Sequence, residues 1–236
     1  MLSHPTTRLK IRATWLCLLL ILFMFISQTA YVWLFGRVLG LSLMAGSRHG
    51  VVVSLSIMTS ALTLSVIGLI MARCHARDGL TEWLGFRPFY WRHLAVCTWW
   101  LALFLVVSEF ITHALGRAPM TFMDGMMSTA NLPLLILATV VIAPIYEELI
   151  FRGVMFGLVK DAIHPNNPYN SLIASLITSA LFALVHVQYG AFEMGVIFGL
   201  AMIFCYARMR CDSLIAPMLL HVLNNGLAMA VYLFYV

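Results

Sequence analysis

Ala143-Pro144-Ile145-Tyr146-Glu147-Glu148-Leu149-Ile150-Phe151-Arg152-Gly153 places two carboxylates and a guanidinium inside an apolar run that extends from Leu132 to Val159. The run has the length and composition of a membrane-crossing helix. A charge at the centre of such a helix costs roughly 2.5–3.5 kcal/mol on insertion scales, so this cluster requires an internal partner or a water-filled cavity. On a helix Glu148 and Arg152 are four residues apart and share a face, where they can pair. Glu147 sits about 100° round from Glu148, given 3.6 residues per turn, and is left free for chemistry. The plainer alternative is an ion pair at a helix end near the membrane surface.

The rest of the chain supports a membrane setting. It has 236 residues, 62% hydrophobic and 10% charged, with a mean hydropathy of +0.96. That is more apolar and less charged than a soluble domain. The expected fold is all-α, a polytopic transmembrane bundle of about seven to eight spans. The spans are expected at 13–35, 51–72, 93–115, 132–158, 171–188, 192–209 and 214–236, the last divided in two if Pro217 and Gly226 break it. Residues 1–131 supply transmembrane helices and interfacial loops and 132–236 the helical core of a single integrated membrane domain. Ser171 is the expected cap of the fifth span, and Gly153/Gly157 and Gly195/Gly199 have the spacing that lets helices approach. The first apolar run continues past Ser27-Gln28-Thr29-Ala30 without an A-x-A site, which predicts an uncleaved span.

Charge gives the orientation. With the N-terminus inside, the cytoplasmic segments hold Arg8, Lys10, Arg12, Arg73, Arg77, Arg87, Arg92, Lys160, Arg208 and Arg210. The opposite loops hold Arg37, Arg48 and Arg117. This asymmetry predicts a multi-pass protein with a cytoplasmic N-terminus, and the small size points to a bacterial cytoplasmic membrane. The net charge of +5 therefore belongs to topology and not to nucleic acid. The segment Arg73–Arg92, with its Trp, Phe and Tyr residues, suits the headgroup level. The methionines of 116–131 (Met120, Met123, Met126, Met127) can cover a cavity. Asp212 and Arg210 beside Ser213 read as a solvated turn. Cys17, Cys74, Cys97, Cys205 and Cys211 form no CxxC pair, so neither a disulfide framework nor a thiolate metal site is expected.

Three more polar positions fall in the C-terminal spans: His186, His221 and Asn225, the last two one turn apart on one face. At 1.5 Å per residue, Glu147 lies ~20 Å from the inner side, His186 ~22 Å, Asn225 ~16 Å and His221 ~10 Å, so the groups can meet if helices tilt or shift by a turn. A desolvated carboxylate and a histidine suit water activation, and an amide with an imidazole suits an oxyanion. Glu147, His186, His221 and Asn225 thus suffice for peptide hydrolysis without a covalent nucleophile. The same Glu147, His186 and His221 can instead hold zinc. No Walker loop, HExxH, GxSxG or dinucleotide fingerprint is present.

At these residues the chain resembles the CAAX-prenyl-protease and bacteriocin-processing family of intramembrane endopeptidases, also called Abi. Glu147, Glu148 and Arg152 match EExxxR, Phe182 and His186 match FxxxH, and His221 and Asn225 match HxxxN, with Ser213-Leu214 and Pro217 preceding. The resemblance covers roughly Leu132 to the C-terminus; upstream only Leu84-Gly85-Phe86-Arg87 fits. It implies a glutamate-dependent protease acting on a membrane-associated peptide or protein tail. Glu147 and His186 would activate water, His221 and Asn225 would stabilise the oxyanion, and Glu148 and Arg152 would hold the site together. It also implies no catalytic metal or other cofactor. Cys211-Asp212 departs from the Thr-Gly of many relatives, which bears on a turn and on substrate fit. Two other classes fit the same residues: a non-catalytic immunity or regulatory protein on this scaffold, and a proton-coupled carrier.

Overall fold

In the hydrocarbon layer every backbone N–H and C=O must find a partner within the protein, and apolar runs of about 20 residues meet this as helices. The computed structural model describes residues 5–76, 79–117, 121–164 and 166–235. Arg77, Met120, Pro165 and Val236 lie outside the described residues, as does the side chain of Arg8. The helices are α1 Pro5–Val38, α2 Leu43–Gly46, α3 Gly50–His75, α4 Leu80–Leu84, α5 Trp91–Ala114 and α6 Thr121–Met127. They continue with α7 Leu132–Ala162, α8 Asn170–Leu184, α9 Ala191–Arg210 and α10 Ile215–Tyr235. Among the described residues six of these (α1, α3, α5, α7, α9, α10) are long and apolar enough to cross a membrane, and α8 is a shorter apolar helix. The architecture is an all-α polytopic bundle.

Two span boundaries differ from the sequence reading. The fifth span was expected to run to residue 188, yet α8 stops at Leu184, where Val185 N–H closes on Leu181 and His186 N–H on Ala183. His186 therefore sits in a turn beyond the helix. Ser171 is not the cap: Asn167 Oδ1 accepts from Tyr169 N–H at 2.9 Å and sets the break earlier, while Ser171 turns to Asn170. The last span is one helix. Pro217 lies in its first turn, where an N–H has no intrahelical partner to lose.

α7 occupies the centre. Every residue from Leu149 to Phe156 is buried, the pattern of a helix surrounded on all sides. It packs against α1, α3, α8 and α10. The glycines near it do not bring helix backbones together as expected. Gly157 leaves room for the Trp83 ring, which a Cβ would meet at 2.7 Å, and Gly199 for Phe104 at 2.6 Å. Gly195 faces open space.

Opposite the N-terminal charges, α2 and α6 edge a cavity. On the N-terminal side, α4 and the following turn lie across the ends of α7, α9 and α10. Trp83 Nε1 donates to Asp161 at 2.8 Å, Leu214 N–H to Gly85 at 2.7 Å and Ser213 Oγ to Arg87 at 2.6 Å. Asp212 is exposed, yet its carboxylate pairs with Arg87 and lies 3.7 Å from Arg208, so the turn read as solvated is docked.

Candidate active site

Two widened π-helical turns, Leu137–Ile142 and Leu149–Met155, bracket Ala143–Glu148 within α7. Such turns insert an extra residue and rotate the helix beyond them. In the first, Ala143 N–H reaches back five residues to Ala138. The next donor in that ladder would serve the Thr139 carbonyl, but it is Pro144, which has no N–H. Asn225 fills the gap: its Nδ2 donates to Thr139 O at 2.9 Å, and its Oδ1 accepts from Asn224 at 3.0 Å. Pro144 thereby ties α10 to α7 beside the carboxylates.

Glu148 is fully buried. Its Oε1 accepts from Arg152 Nη1 at 2.9 Å and from His221 Nδ1 at 2.8 Å. Arg152, also fully buried, donates through Nη2 to Ala201 O at 3.1 Å on α9. Its guanidinium carbon lies 4.4 Å from the Phe182 ring centre and 5.5 Å from that of Phe204. One carboxylate thus joins α7, α9 and α10, with aromatic faces contributing cation–π contact where water is excluded. Removing one member of such a pair leaves an uncompensated buried charge.

His221 is buried and stacks on Phe204, with ring centres 4.7 Å apart. A carboxylate accepts only, so Nδ1 carries the proton that binds Glu148. Nε2 then faces Glu147 Oε2 at 3.8 Å, too long for a hydrogen bond and close enough for electrostatic coupling. His221 does not line the cavity. It sits behind Glu147, between the two carboxylates. Glu147 itself is reachable, with 16% of its side chain exposed.

The cavity has a volume of about 1090 Å³, and Glu147, His186 and Asn225 line it together with Tyr146, Gln188 and Tyr189. His186 Nδ1 lies 2.7 Å from Phe182 O, a contact that requires the proton on Nδ1 and leaves Nε2 as an acceptor. Phe182 is the hub here: its ring packs on Phe151, His186 and His221. Met123 and Met126 lie in the cavity wall.

Sequence reasoning missed Tyr189, Gln188 and Thr139. Burial, and then the neighbouring Glu147 carboxylate, hold the Tyr189 phenol above its usual range, so it remains a protonated donor. A tyrosine whose N–H closes a turn on the His186 carbonyl carries no pattern in sequence; the Thr139 carbonyl was deducible from Pro144 once the π turn is known. Among the described residues no three His, Cys, Asp or Glu side chains are grouped to hold a metal ion.

A family model described as type II CAAX prenyl endopeptidase Rce1-like matches residues 129–227. That segment is similar to the Rce1-like family. It contains all of the site residues above, from Thr139 to Asn225. Among similar proteins, the membrane-embedded CAAX protease MroQ of Staphylococcus aureus (strain USA300) is 34% identical over 96 residues, 41% of this chain and 38% of that protein. An uncharacterized 24.3 kDa protein of Escherichia coli is 30% identical over 112 residues, 46% of this chain and 50% of its own length. These matches span half or less of the relatives, so the Rce1-like resemblance is carried by the core around α7–α10. No solved structure gives a significant match.

Proposed function

We propose that the chain is an intramembrane endopeptidase that hydrolyses a peptide bond in a membrane-associated peptide or protein tail. The observation that carries this reading is the shared cavity. Glu147 and His186 line it together, while the second carboxylate is consumed by Arg152 and His221. Glu147 acts as general base towards water, and His186 Nε2 is the second acceptor for its protons. Asn225 keeps one amide N–H beyond its bond to Thr139 and can turn it to the oxyanion. His221, bonded to Glu148 through Nδ1, supports the Glu147 charge from behind when its Nε2 is also protonated. Glu148 and Arg152 fix His221 in its tautomer. No step is routed through a metal ion.

The same reading includes an N-terminus in the cytoplasm of a bacterial membrane. The cavity rim carries Arg48, Ser47 and Gln188, on the face opposite α1's start. Substrates would then enter from the extracytoplasmic side.

The test is a comparison of peptide termini in membranes holding equal amounts of wild type and Glu147→Ala. Termini present with wild type and absent with the variant are expected. Identical termini, with both proteins inserted, would sink the enzymatic reading in favour of a non-catalytic membrane partner.

A further inference from the structure

The Rce1-like segment leaves one charged wall of the cavity unexplained. Arg48 is the sole Lys or Arg among the residues lining the cavity, and it lies far upstream of residues 129–227. Its side chain is exposed and makes no hydrogen bond or ion pair with any described residue. The acid beside it is engaged elsewhere. Gly125 packs against the base of Arg48, but the adjacent Asp124 accepts from the Tyr232 hydroxyl at 2.6 Å.

The backbone that presents Arg48 is held from both ends. On one side α2 docks on α1 through small residues: a Cβ on Gly46 would lie 3.3 Å from Val32 O and 3.6 Å from the Gly36 Cα. Ser42 caps α2 by accepting from Ala45 N–H at 3.2 Å. On the other side Gly50 opens α3 so close to Met126 that a Cβ would fall 2.3 Å from its carbonyl oxygen. Gly50 N–H donates to Thr129 Oγ1 at 2.8 Å. Between these anchors, Arg48 N–H bonds Ala45 O at 3.2 Å and His49 N–H bonds Gly46 O at 3.1 Å. The backbone of the rim turn is fixed, so the Arg48 side chain leaves from a defined point on the cavity wall.

Rim and floor carry opposite charge. Leu64 on α3 and Glu147 on α7 both line the cavity. Counted from Gly50 to Leu64 and from Leu132 to Glu147, the depth comes to ~21 Å and ~22 Å at 1.5 Å per residue. An extended peptide rises 3.3–3.6 Å per residue, so about six residues span that depth. We propose that Arg48 receives the free C-terminal carboxylate of the substrate, which places a peptide bond about six residues upstream at Glu147. The planar guanidinium fork matches a carboxylate with two parallel hydrogen bonds. The Glu147 charge repels the same carboxylate from the floor, which sets the direction of the bound chain. This assignment rests on the endopeptidase reading and names the residue that would set the register of the substrate's chain end.

The experiment uses the full chain reconstituted in phosphatidylcholine vesicles, with and without phosphatidylglycerol. The probes are N-palmitoylated peptides of mixed sequence, synthesised as free acids and as carboxamides, and mass spectrometry reads the Glu147-dependent cuts. Wild type is expected to cut free acids near the C-terminus and carboxamides about 10- to 100-fold more slowly, the size of one lost charge-assisted pair. Arg48→Gln is expected to cut both forms at the slow rate, and Arg48→Lys to retain part of the preference. Equal cutting of acids and carboxamides by wild type overturns the assignment and leaves the protease reading standing. So does a rate governed by phosphatidylglycerol instead of amidation, which would make Arg48 a lipid-phosphate contact. Absence of any Glu147-dependent cut removes the protease reading itself.

Discussion

Among the described residues two arginines are buried in this bundle, and they do different things. Arg152 is fully buried and Arg208 is 8% exposed. Each rests near an aromatic ring, Phe182 and Phe156 respectively, and each leaves its Nε without a hydrogen-bond partner. Arg208 donates to the Leu84 carbonyl at 3.2 Å, and its carboxylate neighbour Asp212 is largely in solvent. Gly85 curls over it at φ 81°, where a Cβ would meet Nη2 at 2.0 Å. That region is filled. Arg152 instead pairs with a carboxylate that has no solvent at all, and a second carboxylate next to it faces a cavity. A buried arginine is thus no mark of chemistry by itself. What distinguishes the two sites is a second carboxylate that faces open space.

The comparison can be broken at several points. The largest effect belongs to the cavity-facing acid: Glu147→Gln should slow peptide cleavage by about 10²–10⁴-fold while thermal unfolding in detergent stays close to wild type. A variant that loses activity only because it unfolds would place Glu147 with the structural pair. Next, Arg152→Ala should cost about 3–5 kcal/mol, because Glu148 is left charged and dry. Arg208→Ala should cost only about 1–2 kcal/mol and retain cleavage, since the Asp212 charge is already solvated. Equal losses in the two unfolding curves would erase the distinction.

A sharper version replaces the whole inner pair. Glu148→Leu with Arg152→Met should recover most of the stability lost in Arg152→Ala, within about 1–2 kcal/mol of wild type, because no charge remains to be desolvated. Cleavage should not recover, because His221 loses the acceptor that fixes its Nδ1 proton. Restored cleavage in that double variant would show that Glu148 and Arg152 serve packing alone.

The smallest effect is expected at the surface network. Asp212 holds φ 47°, a left-handed conformation that glycine adopts freely and that aspartate tolerates. Asp212→Gly removes that strain and also the ion pairs with Arg87 and Arg208, so the net change should stay within about 1 kcal/mol. Cleavage rates should be unchanged. A large loss of either would mean that the docked turn reaches the site.

Much of this was legible before any coordinates. The apolar runs announced the helices, because a bilayer admits no other arrangement of unshared backbone polar groups. The four-residue spacing announced the Glu148–Arg152 pair and left Glu147 aside. His221, placed about a helix turn or two away in depth by counting residues, was brought level by the way α7 and α10 pack. His186 was expected on a helix and stands in a turn, because Leu181–Ala183 close the helix early through their carbonyls.

The sequence by itself determined an all-α membrane bundle, the identity of the polar residues within it, and the one ion pair local enough to come from helix periodicity. The tertiary structure alone decided which polar groups share a cavity. It turned His221 away from that cavity and towards two carboxylates, and it committed Asn225 to the carbonyl that Pro144 leaves unbonded. It also brought Arg48 to the rim above Glu147. Periodicity fixes neighbours along one helix, whereas contacts between helices depend on how side chains of distant segments pack, which no local pattern records.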